Sequence, residues 1–308
     1  MAHVRSEYRG EGDYWRLRAF LRDVFLLNDR RDHSWHVADL DYWRWHLVQN
    51  CRVCESVGHG LLLWEDGRGA IVGAVTRVDT GEVRLHVDPR ARTAALEDEM
   101  LAAAEERYAA ADGSRHFVYL PVRTDDLLRQ GVLRQRGYER GSGVSQQWRR
   151  DLLEKLPSPS APEGYAVRSM GTGDEHPARS WASWRAFHSD EPAARYDGDW
   201  SWYANVQAAP LYRRDLDVVA ATPRGEIASF ATIYYDDATL SAMCVLVGTA
   251  VEHQRRGLAR AVLLEGFRRL RWMGCTRVLV TGYDEVANAL YGSVMDASEA
   301  QQTWRKTW

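Results

Sequence analysis

The sequence predicts an α/β chain, of the α+β kind, made of two domains built on one plan. Three observations predict it. The length of 308 residues suits about two domains of roughly 100–200 residues each. A stretch in mid-chain, Leu156 to Gly164, alternates Pro157, Pro159 and Pro162 with small residues, which favours an extended connection. The elements on either side of it follow the same order. The expected division is 1–150, a linker over 151–163, and 164–308.

In the first half, Tyr14 to Leu27 and Asp39 to Val48 read as helices. Gly60 to Trp64 and Ala70 to Val78 read as strands around the turn Glu65-Asp66-Gly67, followed by the strand Val83 to Val87. Thr93 to Ala110, rich in Ala and Glu, is a long helix. His116 to Leu120 is a strand, Asp125 to Leu133 a helix and Val144 to Trp148 a strand.

The second half opens with a short strand, Tyr165 to Met170, then repeats that order. Glu175 to His188 and Asp199 to Gln207 are helical. Asp217 to Ala221 and Glu226 to Tyr235 alternate as strands around Pro223-Arg224-Gly225, and Thr239 to Thr249 is a third. Gly257 to Met273 is a helix with Leu258, Val262, Gly266, Leu270 and Met273 on one face, stopped by Gly274. Arg277 to Thr281 is a strand, Glu285 to Ser293 a helix, and Gln301 to Trp308 a final strand.

Local sequence supports a duplication. Trp43 and Trp45 match Trp200 and Trp202 at an offset of roughly 157, and Val87 to Glu97 matches Thr249 to Ala259 at roughly 162. A period this long indicates a repeated domain rather than a solenoid.

Composition narrows the class. Apolar and charged contents of 45% and 27% are those of a globular protein, and a net charge of -3 argues against general nucleic-acid binding. No apolar run is long enough for a membrane span, and the stretch from Met1 to Gly12 lacks a signal peptide's apolar core. Cys51 and Cys54 have CxxC spacing without a second pair, so no metal is expected and the four thiols, with Cys244 and Cys275, suit a reduced cytoplasm. The 13 tryptophans cluster at Trp35, Trp43 and Trp45 and again at Trp181, Trp184, Trp200 and Trp202, which fits either core packing or the wall of a ligand cavity.

The chemistry-bearing stretch is Gln254-Arg255-Arg256-Gly257-Leu258-Ala259. It joins a strand to a helix, so its main-chain amides have no partner inside the helix and the helix dipole adds positive charge there. Gly257 removes a side chain where an anion must approach, and Arg255 and Arg256 add positive field. Gly171-Thr172-Gly173-Asp174-Glu175-His176 begins like a dinucleotide fingerprint but has His176 in place of the third glycine, and no nucleophile elbow stands out.

With these residues the second half resembles the GCN5-related N-acetyltransferase (GNAT) superfamily. The loop pattern Q/R-x-x-G-x-G/A is met by Gln254, Gly257 and Ala259. The family's helix N-x-x-A-N-A-L-Y resembles Asp284-Glu285-Val286-Ala287-Asn288-Ala289-Leu290-Tyr291. The resemblance implies two tandem GNAT-like domains, each a mixed, mostly antiparallel sheet flanked by helices. It implies that the backbone of Val247, Gly248 and Thr249 pairs with the pantetheine arm of an acyl-CoA, acetyl or longer-chain. The amides of Gln254, Arg255, Arg256, Gly257, Leu258 and Ala259 would hold the pyrophosphate, and Tyr291 would protonate the departing thiolate; an ordinary buried tyrosine is the alternative. Two departures stand out. Asp284 replaces the usual Asn, with Asn288 as a substitute contact, and the Gly-Phe ending is replaced near Met295-Asp296.

The first half is similar to the same fold with its site lost. Ala95 and Glu97 stand at the loop's glycine positions, and a carboxylate there would repel a pyrophosphate. Arg136-Gly137-Tyr138 still resembles the family ending. Tandem members such as mycothiol synthase share this layout of one active and one degenerate half.

The resemblance implies an N-acyltransferase acting on a small-molecule primary amine in a ternary complex, as a monomer or homodimer. Many relatives carry a Glu on the fourth strand as base, whereas Leu240 to Leu246 has no carboxylate. His188, Asp190, Glu191, Glu226, Asp236 and Asp237 are the remaining base candidates, and His253 is expected to face solvent. The family's acceptor wall corresponds to Trp181 to Gln207, so Trp181, Trp184, His188, Trp200 and Trp202 are expected to bind the acceptor. That aromatic content resembles the two-domain N-acyltransferases of glycopeptide antibiotic assembly, which act on an amino sugar. The rival is a non-catalytic CoA-binding regulator: the intact Tyr291 favours the enzyme, the missing Glu the regulator.

Overall fold

The computed structural model describes residues 3–31, 33–158 and 160–308; Met1, Ala2, Asp32 and the linker's Pro159 lie outside them. The chain divides into two compact units, the first running to Gln147 and taking in Glu299–Trp308, the second being Trp148–Ser298. The expected division by a linker at 151–163 thus differs from the observed one at both ends.

Unit 1 begins with β1 (His3–Glu7), α1 (Glu11–Leu27) and α2 (Val37–Tyr42), which continues into a π-helical turn, Trp43–Val48. β2 (Leu61–Asp66), β3 (Ile71–Asp79) and β4 (Glu82–Val87) form an antiparallel meander, with β1 added at its edge. Then come α3 (Ala94–Tyr108), β5 (Ala110–Asp112), β6 (Arg115–Arg123), α4 (Leu127–Gln135) and β7 (Glu139–Asp151), which counts with this unit as far as Gln147. β4 and β6 are parallel, registered at Glu82 against Tyr119. Two cores flank this sheet, one under α3 and one under α1 with the fully buried Trp43, whose indole N–H donates to Arg77 O at 2.8 Å. Trp43 is therefore a core residue. β1 and β5 are short edge pieces that no apolar pattern announces.

Unit 2 contains β8 (Ala166–Ser169), α5 (His176–Phe187), α6 (Ser201–Gln207), β9 (Asp217–Ala221), β10 (Ile227–Asp236), β11 (Ser241–Thr249), α7 (Leu258–Trp272), β12 (Arg277–Gly282) and α8 (Glu285–Gly292). β8 to β11 are antiparallel neighbours in order, and β12 lies parallel to β11. Alternation was expected in β9 and β10, yet every residue of both is buried. The reason is cover on both faces of β10, by α7 on one and α5 on the other. Ala231, Ile233 and Tyr235 join the α7 core, while Phe230 and Thr232 meet the fully buried Arg179 of α5. That guanidinium lies 3.5 Å over the Phe230 ring and donates to Thr232 Oγ1 at 3.3 Å, which pins α5 to the sheet.

The last strand, β13 (Ala297–Thr307), corrects the sequence reading. It is longer than Gln301 to Trp308 and pairs antiparallel with β6 of unit 1, Gln301 opposite Arg123 through Thr307 opposite Phe117. A backbone edge on β6 is satisfied by the chain's own end, so the residues after Ser298 count with the first unit.

Candidate functional site

The site starts from a break in strand pairing. Along β10 and β11, Thr232 faces Leu246 but Ile233 faces Cys244, so Val245 is an extra residue without a partner on β10. Such a bulge bends its strand. Accordingly, β11 pairs with β12 only from Ser241–Arg277 to Met243–Leu279, while β11 runs on to Thr249. The backbone of Val247, Gly248 and Thr249 therefore leaves its β12-side edge open. On the other edge, Ser229 of β10 donates its hydroxyl to Gly248 O at 2.9 Å. Gly248 also has a packing role: a Cβ there would lie 2.5 Å from Phe230 Cζ and 2.9 Å from Ala186 Cβ. The glycine lets α5 approach this strand.

Next to that edge is the loop. A 3-10 turn, Val251–His253, leads to Gln254, then to Arg255 at φ 63° and to Gly257 at φ 78° as the N-cap of α7. No side chain caps this helix. Among the described residues none accepts from the amides of Arg255, Arg256, Gly257, Leu258, Ala259 or Arg260. Six consecutive amides at the start of α7 thus lack an acceptor among the described residues, and the helix dipole there favours an anion. The Leu258 side chain is buried in the core, so only its amide is offered, and Gln254 Nε2 donates back to Thr249 O at 3.3 Å.

Two ties hold the loop. Arg256 donates to Tyr165 Oη at 2.9 Å, Tyr165 Oη lies 2.9 Å from His253 Nδ1, and Glu226 lies 3.0 Å from His253 Nε2. His253, expected in solvent, has a side chain only 11% exposed because Tyr165 covers it edge-on. Of the two loop arginines, Arg256 is engaged by the protein and Arg255 is exposed without a partner among the described residues. The second tie runs to α5: Arg185 donates through Nε to Glu252 Oε1 at 2.7 Å and through Nη1 to Glu191 O at 3.3 Å. Glu252 titrates below the ordinary carboxyl range; burial opposes this, and Arg185 outweighs it.

Tyr291 on α8 sits in the α7-side core with Cys244 of β11. Burial, then the neighbouring Cys244, push its pKa above the ordinary phenol value. Its hydroxyl has no hydrogen-bond partner among the described residues and keeps its proton. Asn288, one turn earlier, accepts from Trp148 Nε1 at 2.8 Å through Oδ1, which leaves its NH2 free to donate. Asp284 is the N-cap of α8 and accepts from Ala287 N at 2.7 Å. A capping role thus accounts for Asp where the resemblance expects Asn.

The aromatic residues of α5 form a ladder. Trp181 and Trp184 stack at 5.8 Å and 18°, and Trp184 stacks on His188 at 5.4 Å and 11°. Tyr196 closes one side, and the Arg185 guanidinium lies 5.9 and 5.7 Å from the two indoles. Trp202 donates to Ser180 Oγ at 2.9 Å, while Trp200, 40% exposed, packs on His176. Because Ala186 touches the Gly248 position, the ladder ends beside the open strand.

The base candidates separate. Asp236 and Asp237 lie at the β10–β11 turn, where Asp236 faces Ser241, at the opposite end of β11 from Thr249. A nine-residue strand spans about 30 Å, which removes both. Asp236 instead accepts from Thr239 Oγ1 at 2.7 Å. Glu226 is tied to His253, and Glu191 lies 3.3 Å from Arg195. His188 and Asp190 remain exposed at the ladder's end.

The corresponding place in unit 1 is built differently. The connection 88–93 is two residues shorter than 250–257, so Thr93, the N-cap of α3, takes the place of Gly257. This corrects the ungapped match to Ala95 and Glu97. Thr93 Oγ1 accepts the Leu96 amide at 3.1 Å and closes that helix end. Glu97 is buried, with Arg92 Nε at 2.5 Å and Arg129 Nε and Nη2 each at 3.0 Å. Asp126 accepts twice from Arg92 at 2.7 Å.

The fold as a whole recurs in solved proteins. A GCN5-related N-acetyltransferase from Sphaerobacter thermophilus is 17% identical, with a TM-score of 0.64 over 99% of this chain and 95% of that one. A tandem GNAT protein from the clavulanic acid biosynthesis pathway is 12% identical, with a TM-score of 0.63 over 99% and 98%. This chain has the tandem GNAT fold. A GNAT-family acetyltransferase from Colwellia psychrerythraea agrees at 14% identity and a TM-score of 0.58 over 98% and 100%. No family model and no curated protein matches the sequence.

Within the GNAT fold, the structure gathers Val247, Gly248, Thr249, the loop to Ala259, Asn288 and Tyr291 in unit 2, with Trp181, Trp184 and His188 beside them. Sequence reasoning missed Trp148, Tyr165 and Arg185. Arg185 follows Trp181 by four residues, a helical neighbour spacing, but its partner Glu252 is 67 residues away and no pattern joins them. Among the described residues no three His, Cys, Asp or Glu side chains group as metal ligands, and no helix is long and apolar enough to cross a membrane.

Proposed function

We propose that this chain is an acyl-CoA-dependent N-acyltransferase that moves an acyl group to a primary amine of a small molecule, using unit 2 alone for the cofactor. The observation that carries it is the row of six unpartnered amides from Arg255 to Arg260, set beside the part of β11 that has left β12, where Gln254 meets the Thr249 carbonyl. A pyrophosphate fits the first and an amide-bearing arm the second.

The residues fit each step. The amine nitrogen attacks the thioester carbon while the carbonyl oxygen accepts from the main chain at the Val245 bulge. Collapse of the adduct breaks the C–S bond, and the sulfur takes the Tyr291 proton. The nitrogen gives up its proton to water or to a group at the mouth, where His188 and Asp190 are exposed. The aromatic ladder suits an acceptor with flat apolar faces, such as an amino sugar of a glycopeptide antibiotic, or an acyl chain longer than acetyl. A mycothiol-synthase-like acetyltransferase is the closest variant of this reading.

A second reading, a CoA-binding regulator, is favoured by one observation: Ser241–Thr249 carries no carboxylate. Thiol release from acetyl-, octanoyl- and decanoyl-CoA against a panel of amines separates the two. Tight CoA binding with no release for any pair sinks the enzyme. Gly257→Glu tests the loop directly, and normal CoA binding by that variant would refute its role.

A further inference from the structure

Unit 1 has the same parting of parallel strands, yet its groove is filled by its own side chains. β4 is registered with β6 at Glu82–Tyr119, and beyond that point the Leu85 carbonyl accepts from Arg129 Nη1 at 3.4 Å. If Val87 corresponds to Thr249, Leu85 corresponds to Val247, a residue of the open edge in unit 2. The same guanidinium grips Glu97 with both remaining nitrogens at 3.0 Å, and Glu97 lies in the first turn of α3.

We propose that Arg129 and Glu97 act as a built-in substitute for a cofactor: the guanidinium stands where a ligand amide would meet the strand, and the carboxylate where a phosphate would meet the helix. This rests on the reading of unit 2 as an acyl-CoA site. Backbone groups at a buried strand edge need partners, and a helix N-terminus favours an anion. Unit 2 leaves both to a ligand, and unit 1 supplies both from within. The shorter 88–93 connection and the Thr93 cap remove the amides that a pyrophosphate would use. Arg92 and Asp126 complete the set, so each buried charge has an opposite neighbour at 2.5 to 3.0 Å. Unit 1 is on this account a permanently closed copy that folds without cofactor.

The full chain carries the test. Titration calorimetry of the wild type with CoA is expected to give one site per chain, and two sites would overturn the proposal. Arg129→Ala leaves Glu97 underpaired and is expected to lower Tm by about 10 °C. An unchanged Tm would overturn it. Glu97→Ala, made in a Gly257→Glu background that blocks unit 2, leaves Arg92 and Arg129 without the carboxylate that both now hold. Inorganic pyrophosphate at about ten times its Kd should then raise Tm by roughly 3 °C, a rise absent from Gly257→Glu alone. Equal behaviour of the two proteins would overturn the substitute role. Where Glu97→Ala does not fold, Glu97→Gln serves in the same comparison. If the wild type binds no CoA at all, the reading of unit 2 fails, while the Arg129→Ala and pyrophosphate measurements still decide unit 1.

Discussion

Trp148 donates its indole N–H to Oδ1 of Asn288 at 2.8 Å, and this bond decides which way the amide faces. With the oxygen held, the NH2 end is turned away from Trp148 and can donate to a ligand carbonyl. Trp148→Phe keeps an aromatic ring but removes the donor, so Asn288 can flip. The loss of one hydrogen bond of about 1 kcal/mol corresponds to roughly five-fold weaker CoA binding, measured by calorimetry. Asn288→Asp removes the NH2 itself and should weaken binding at least as much. Equal affinity in both variants would show that Asn288 does not face the cofactor.

Gly257 sits at φ 78° with open space around its missing Cβ. Two costs of a side chain can therefore be separated. Gly257→Asn tolerates the left-handed backbone, so Tm should stay within a few degrees. Its side chain still enters the space before α7, and CoA affinity should fall by roughly ten-fold or more through lost close approach. Gly257→Ala adds strain of about 1 kcal/mol and should cost more Tm but less affinity than Asn. A variant pair in which affinity follows Tm alone would mean that the glycine serves the turn and not an anion.

Most of the fold was legible because its elements are strongly patterned. The α7 face through Leu258, Val262, Gly266 and Leu270, and the Gly274 stop, follow from helical spacing and the left-handed glycine. The glycine-led start of α7 was legible because Gly257 follows two arginines at a strand–helix junction. β13 was foreseen over Gln301 to Trp308 but counted with the second half, because its pairing with β6, Gln301 opposite Arg123, is set by which edge is vacant, information that no local window contains. The full burial of β10 was missed for a related reason: cover by α5 depends on Arg179 meeting Phe230 and Thr232, a contact between distant residues. In the site, His253 looked solvent-facing because its partners Tyr165 and Glu226 come from other strands and turns.

Glu252 carries a negative charge at the rim of a cradle that should hold a pyrophosphate, and Arg185 neutralises it at 2.7 Å. The sign of each substitution follows. Arg185→Ala leaves that carboxylate unpaired near the anion, and KM for acyl-CoA should rise by about ten-fold, a cost of roughly 1.4 kcal/mol. Glu252→Gln removes the repulsion, so its KM should stay near the wild-type value or fall. The double variant should resemble Glu252→Gln, because the harm of losing Arg185 acts through Glu252. Steady-state kinetics at two salt concentrations checks this, since repulsion between exposed charges weakens with salt. A double variant as poor as Arg185→Ala would instead assign Arg185 to the ladder formed with Trp181 and Trp184.

Tyr291 tests the chemistry itself. Its hydroxyl has no partner among the described residues, so Tyr291→Phe removes no internal hydrogen bond and should leave Tm within about 2 °C. As proton donor to a thiolate, which is a tolerable leaving group unaided, it should contribute about 10- to 100-fold to kcat, with KM for acyl-CoA little changed. The pH profile adds an independent check. Burial raises the phenol's pKa above its ordinary 10.0, so the donor form is present throughout the neutral range and is lost only above pH 10. The wild-type rate should therefore show no alkaline fall from this residue between pH 7 and about 9.5, and the ratio of wild-type to Phe kcat should stay constant across that window. A ratio that collapses near pH 8 would show that another group is the acid, and an unchanged kcat in the Phe variant would return Tyr291 to the core as packing alone.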